Sequence, residues 1–275
     1  MTTDILHHID RLIKQRPAAR EILETYRNLI EQIAEVETGE TDMDIRVDRA
    51  AVKLKEGFPL FSRDDLPIDL KAAAIRLSRC LDHLSRQDRE DLEGLKMALE
   101  RIKSEPNWPE DVFIAALKEN EDHLKSMAED VGLDPGVLLF LAKVALAPSM
   151  KALRAAVSNR KDGSEWDQGF CPVCGSPPDM ACFTKTGARY LHCELCGDEW
   201  RYPRMKCPFC ENEDHNTLGY FQAKEEEGFR VYFCHKCKRY IKTMDKSVFE
   251  EPAPLDLEYM ATLHLDLVAS EHGFS

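Results

Sequence analysis

Cys171-Pro172-Val173-Cys174, Cys193-Glu194-Leu195-Cys196, Cys207-Pro208-Phe209-Cys210 and Cys234-His235-Lys236-Cys237 decide how this chain is read. Each is a Cys-x-x-Cys pair that sets two thiols on one tight turn. About a hairpin's length of chain separates the first pair from the second, and the third from the fourth. Such a turn, a hairpin and a second such turn can set four sulfurs at the corners of a tetrahedron, about 2.3 Å from a central metal. Two Cys-x-x-Cys pairs with a spacer of about 15–20 residues read as a zinc site. Here that arrangement occurs twice, the second spacer being slightly longer.

The chain between the pairs supports this. Lys185-Thr186-Gly187 and Glu226-Glu227-Gly228 are turn signals between extended runs, so each unit reads as a ribbon with one cysteine turn on either side of a hairpin. Cys171, Cys174, Cys193 and Cys196 are therefore expected in one site, and Cys207, Cys210, Cys234 and Cys237 in the other. Interleaved pairing, as in cross-braced fingers, stays open as the alternative. Pro172 and Pro208 follow a first cysteine, and Gly175 and Gly197 follow a second. This is a tight turn that aims backbone N–H groups at thiolate sulfurs. Trp200, Tyr202, Tyr220, Tyr232 and their aromatic neighbours are expected to pack over the sites and between the units, because two small ribbons have little core of their own. A stacking platform for nucleic acid is the sharper alternative.

A closed four-cysteine site leaves no position for substrate, so it reads as structural zinc. Tetrahedral all-sulfur geometry suits iron as well, and the sequence does not separate the two. Cys80 and Cys182 fit neither foursome and read as buried thiols. His192 is expected to face solvent or to support a ligand, His235 to point away from the metal, and His215 is a weak substitute ligand.

The chain as a whole, 275 residues, carries a net charge of −13. Such an acidic chain is a poor general binder of nucleic acid or anionic membrane. The N-terminus lacks the basic and apolar regions of a signal peptide. The longest apolar run, 137–147, holds Lys143 and is too short to span a bilayer. A cytoplasmic location without membrane insertion follows, where clustered cysteines stay reduced and bind metal. Residues 1–160 are rich in helix formers and read as a helical bundle. Helices are expected over 68–84 and 91–102, from Pro109 through Met127 with Gly132 as cap, and from Pro135 towards Val157 with a kink or break at Pro148. The run 119–122 reads as a solvated helix face, the segment 57–61 as a loop tucked against the core, and 159–164 as the linker. The ribbons occupy 165–203 and 204–246. A last amphipathic helix, 256–269, lies within the segment 247–275. The fold class is a mainly α-helical first domain followed by two small β-hairpin zinc-ribbon or rubredoxin-like modules and a C-terminal helix.

Cys171-Pro-Val-Cys-Gly-Ser-Pro, Arg189-Tyr-Leu-His-Cys193-Glu-Leu-Cys196 leading to Glu199-Trp200, Arg204-Met-Lys-Cys207-Pro-Phe-Cys210 and Cys234-His-Lys-Cys237-Lys-Arg-Tyr240 together resemble the formate dehydrogenase accessory protein E family. Met260-Ala-Thr-Leu-His-Leu-Asp266-Leu and Glu271-His-Gly-Phe274 are similar to that family's C-terminal segment. The resemblance implies a cytoplasmic maturation factor, not an enzyme. Its partner would be the catalytic subunit of a molybdenum- or tungsten-dependent formate dehydrogenase, bound before export by the twin-arginine route. It further implies a helical domain followed by two rubredoxin-like ribbons, with the eight paired cysteines holding two metal ions. A second copy of the chain is a further candidate partner. A redox or iron-handling protein is the alternative, and a nucleic-acid-binding zinc ribbon the third reading, against which the acidic charge counts.

Overall fold

The computed structural model describes residues 2–39, 47–88, 90–158, 166–223 and 226–275. The expected linker at 159–164 lies outside them. Helices α1 (Thr2–Gln15), α2 (Arg20–Ile33), α3 (Val47–Lys55), α4 (Leu70–Leu84), α5 (Leu92–Ser104), α6 (Trp108–Leu117), α7 (Glu121–Asp130) and α8 (Pro135–Val157) fill the first half. Local chemistry starts and stops them. Asp69 caps α4, accepting from the Ala72 N–H at 2.9 Å. Asp134 accepts from Gly136 and Val137 ahead of α8, with Pro135 in the first turn. Gly132, at φ 68°, ends α7, and the Leu133 N–H reaches back to the Ala128 carbonyl at 2.9 Å. α8 runs on through Pro148. By length and composition alone it would suffice to cross a membrane, with a mean hydropathy of 1.6, yet it packs against α4, α6 and α7 as the central helix of the bundle.

Two expected helices are each divided. The one expected over 109–127 breaks at Glu119, whose φ is 52°. Asn120 then caps α7 by accepting from the His123 N–H at 3.1 Å. The charged run 119–122 is thus a break and a fresh start, not a continuous helix face. The C-terminal helix is likewise α9 (Leu255–Ala261) and α10 (His264–Glu271). Thr262 leaves the helical region at φ −120°, and its hydroxyl donates back to the Glu258 carbonyl at 2.7 Å. Leu263 and Leu267, expected on the apolar face, are 40% and 70% exposed as a result.

The second half forms one sheet from β1 (Pro178–Phe183), β2 (Arg189–Cys193), β3 (Glu199–Arg201), β4 (Leu218–Phe221), β5 (Phe229–Cys234) and β6 (Tyr240–Asp245). The order is β3-β2-β1-β6-β5-β4. Each ribbon is a run of three antiparallel strands whose hairpin turns at Gly187 (φ 80°) and Gly228 (φ 85°). The ribbons join where β1 lies parallel to β6, Met180 opposite Lys242 and Cys182 opposite Met244. Side chains alternate across a strand. One face therefore presents Met180, Cys182, Phe229, Val231 and Met244 to Leu255, Leu265 and Ala269 of the last helices. The other presents Ala181, Leu191, Trp200 and Ile241 to the core shared with the helical half.

Candidate metal centres

The four cysteine turns share one backbone. The N–H of the residue after each second cysteine donates to the carbonyl of the first: Gly175 to Cys171, Gly197 to Cys193, Glu211 to Cys207 and Lys238 to Cys234, at 2.8–3.1 Å. The N–H groups of the four leading cysteines donate in turn to the carbonyls of Ser176, Asp198, Asn212 and Arg239. Closing the turn needs a left-handed residue, and φ is 74° at Gly175, 68° at Gly197, 57° at Glu211 and 62° at Lys238. Glycine takes that conformation freely, whereas other residues meet a cost of about 1–2 kcal/mol.

These turns bring the predicted ligands together in sequence order. Cys171, Cys174, Cys193 and Cys196 form one cluster and Cys207, Cys210, Cys234 and Cys237 the other, with the sulfurs of each foursome within 4.8 Å of one another. In the first, Cys174 lies 3.4 Å from Cys193 and 3.6 Å from Cys196, and Cys171 lies 3.6 Å from Cys196. In the second, Cys207–Cys237 is 3.7 Å and Cys210–Cys234 is 3.8 Å. A tetrahedron with metal–sulfur bonds of about 2.3 Å has edges of about 3.8 Å, whereas a disulfide sets its sulfurs about 2.0 Å apart. All of these cysteines are free thiols. The donor set fits a four-thiolate ion, zinc or iron. Amides already point at the sulfurs: Val173 N–H at Cys171, and Leu195 and Cys196 N–H at Cys193, each at 3.4 Å. Hydrogen bonds from its three neighbours hold the Cys174 thiol well below its ordinary range, while burial pushes Cys171 and Cys193 up. Burial also raises Cys234, but the amides of Cys237 and Lys236 outweigh it and bring that thiol down to about 7.

The two clusters sit in different surroundings. All four sulfurs of the first are sealed, their residues 0% exposed within the core that contains the bundle. The loop 57–61 is tucked in as expected, and it pairs with the first turn: Leu60 N–H donates to the Pro172 carbonyl at 2.8 Å and Phe61 N–H to the Val173 carbonyl at 2.9 Å. Arg154 of α8 donates to the Gly197 carbonyl, and Lys143 lies 3.5 Å from Glu194. In the second cluster Cys207 and Cys234 are buried, but Cys210 and Cys237 are half-buried. The Tyr202 hydroxyl holds the Cys207 carbonyl at 3.1 Å, Asn212 Nδ2 lies 3.6 Å from Cys234 Sγ, and the Arg239 guanidinium covers the Phe209 ring at 3.8 Å.

The remaining candidates are placed as follows. His192 does not face solvent: it is buried, its Nδ1 2.7 Å from Asp179. Burial lowers its pKa, but the Asp179 charge outweighs this and holds it above the ordinary value. His235 packs on Phe233 and Phe274 and is not among the clustered donor atoms. His215 is exposed. Cys80 is buried in α4, which pushes its thiol up to about 12, and burial raises Cys182, beneath the last helices, to about 11. Aromatics bridge the units as expected, Phe183 of β1 meeting Tyr232 of β5 edge-on at 5.8 Å. Two residues quoted above within the motifs take roles that the sequence did not announce. Buried Arg189 donates to the Pro203 and Lys206 carbonyls and so pins the connection between the ribbons. Phe274 stacks on Phe233 at 4.5 Å while Ser275 N–H donates to the Lys238 carbonyl of the last cysteine turn.

Comparison with known proteins places this arrangement. The profile of the FdhE central domain matches residues 170–204, which hold the first foursome. An FdhE homologue from Klebsiella pneumoniae is 30% identical over 227 residues, which are 77% of this chain and 71% of that protein. The chain belongs to the FdhE family. Another FdhE homologue, from Aquifex aeolicus, is 32% identical over 173 residues, 58% of this chain and 60% of its own length. The match to the Stutzerimonas stutzeri homologue covers 47% of that protein, so the chain spans three-fifths or less of these two FdhE relatives. The crystal structure of the FdhE protein from Pseudomonas aeruginosa has the same fold, with a TM-score of 0.71 at 23% identity over 100% of this chain and 93% of that one.

Proposed function

We propose that this FdhE-family chain is a cytoplasmic maturation factor for a molybdenum- or tungsten-dependent formate dehydrogenase, that it binds the catalytic subunit before export or final assembly, and that it is not an enzyme. One observation carries the reading: both cysteine clusters are foursomes, the first of them within the segment matched by the FdhE central domain, and four thiolates on a bound ion would leave no open position for a substrate or a water. In this reading Cys171, Cys174, Cys193 and Cys196 hold one ion and Cys207, Cys210, Cys234 and Cys237 the other. A bound ion would add folding free energy to the cysteine turns at the end of the hairpins. The protein's own part is to present a rigid surface: α8 fixes the first cluster through Arg154 and Lys143, and Arg189 fixes the second ribbon to the first.

All-sulfur tetrahedral donors also suit iron, which favours a redox or iron-handling reading as the second choice. Affinity co-purification of the tagged chain from its own cells, under anaerobic conditions, tests the first. Recovery of a formate dehydrogenase catalytic subunit, lost on combining Cys171→Ser with Cys174→Ser, supports the maturation role. Absence of that subunit, with red protein absorbing in the visible, would favour the redox reading instead.

A further inference from the structure

We propose that the two metal centres divide the work: the ion at Cys171, Cys174, Cys193 and Cys196 is permanent, and the ion at Cys207, Cys210, Cys234 and Cys237 is exchangeable through Cys210 and Cys237. This deepens the reading above and rests on both foursomes binding a metal.

Exchange on a closed tetrahedral ion begins when an incoming donor reaches the metal or when one thiolate swings off. Neither is open to the first cluster. Its four cysteine residues are 0% exposed, one turn is hydrogen-bonded to Leu60 and Phe61, and the other is held by Arg154. A donor enters only after the helical half parts from the sheet. The second cluster is built as two pairs. Cys207 and Cys234 are 4% and 1% exposed and are held by Tyr202 and Asn212. Cys210 and Cys237 are half-buried, and each is followed by a non-glycine residue in the left-handed region, Glu211 and Lys238. Opening either turn relaxes that backbone, a release that Gly175 and Gly197 do not offer at the first cluster.

The exchange follows in two steps. An acceptor with nitrogen or sulfur donors displaces Cys210 or Cys237, then the other. Each metal–sulfur bond broken is matched by one formed, each freed thiolate takes a proton from water, and Cys207 and Cys234 keep hold of the ion until last. No electron moves.

The test uses the full chain loaded with zinc and mixed with excess pyridylazoresorcinol, while N-ethylmaleimide traps thiols as they are freed. One ion per chain is expected to leave in a fast phase, with Cys210 and Cys237 alkylated first by mass spectrometry. The second ion should leave at least about a hundredfold more slowly, because access to it requires local opening. Cys237→Ser should delete the fast phase and leave the slow one. Release in a single phase, alkylation that begins in the first foursome, or a chain that holds only the first ion would overturn the proposal. Two-phase release without a formate dehydrogenase subunit in the co-purification would sink the maturation role and leave this inference standing.

Discussion

Glu211 and Lys238 stand where the first unit has Gly175 and Gly197, in the same left-handed turn. Lys238→Gly should relieve the crowding and give back part of the gain to the freer unfolded chain, for a net stabilisation of up to about 1 kcal/mol. Gly197→Ala should cost about 1–2 kcal/mol. Denaturant midpoints of the metal-loaded protein would read both. Gly169 is a different case. A Cβ there would run into the Pro208 carbonyl oxygen, backbone against backbone. Gly169→Ala is expected to displace the third cysteine turn, to cost on the order of 1–3 kcal/mol as overpacking does, and to speed zinc loss from the second cluster. At this scale the clustering of the eight cysteines was legible because a Cys-x-x-Cys turn is a local device. The left-handed state of Glu211 and Lys238 was not, since neither residue carries the signal that glycine does. Nor did anything around Gly169 announce its neighbour.

Elements are held to one another by a few buried polar groups that no periodicity reveals. Arg76 of α4 is fully buried; it donates to Ser149 of α8 at 2.9 Å, to Thr38 at 2.6 Å and to the Val36 carbonyl at 3.1 Å. Arg76→Ala leaves those acceptors without a donor and opens a cavity. A loss of about 2–4 kcal/mol in a denaturation curve is expected. Lys151 of α8 meets Asp256 of α9 at 2.9 Å. Burial raises the Asp256 pKa, but the Lys151 charge and hydrogen bond outweigh it, so the native value lies below the ordinary 3.8. The native state therefore favours the ionised carboxylate. The stability gained is present above the ordinary value and fades as pH falls through the lower native one. Wild type should exceed Lys151→Met in stability at neutral pH, and the gap should close in acid; a gap unchanged down to the acid limit would contradict this. Helix existence was legible from apolar spacing and caps. The breaks at Glu119 and Thr262 were not, because the apolar pattern continues across both and only side-chain hydrogen bonds decide them.

At the scale of the molecule, the ribbons make one sheet. The hairpins were legible because their turns carry glycine between extended runs. The parallel seam of β1 and β6 was not: it joins strands from opposite ends of the cysteine region, with no turn between them, and depends on the covering by α9 and α10. The first cluster also belongs to the hydrophobic core of the bundle, whereas Cys210 and Cys237 of the second lie towards the surface. Loss of the first ion should therefore cost more than loss of the second. Cys174→Ser is expected to lower the thermal midpoint of both the helical and the sheet signals in circular dichroism, and Cys210→Ser to leave the helical transition close to wild type.

Two closed four-thiolate ions in a single chain are the premise of every role proposed for this protein. X-ray absorption at the metal edge, with metal content from native mass spectrometry of the same sample, tests that directly. Two ions per chain, each with four sulfur neighbours at about 2.3 Å, is the predicted result. A single ion, or nitrogen or oxygen among the nearest neighbours, would contradict it.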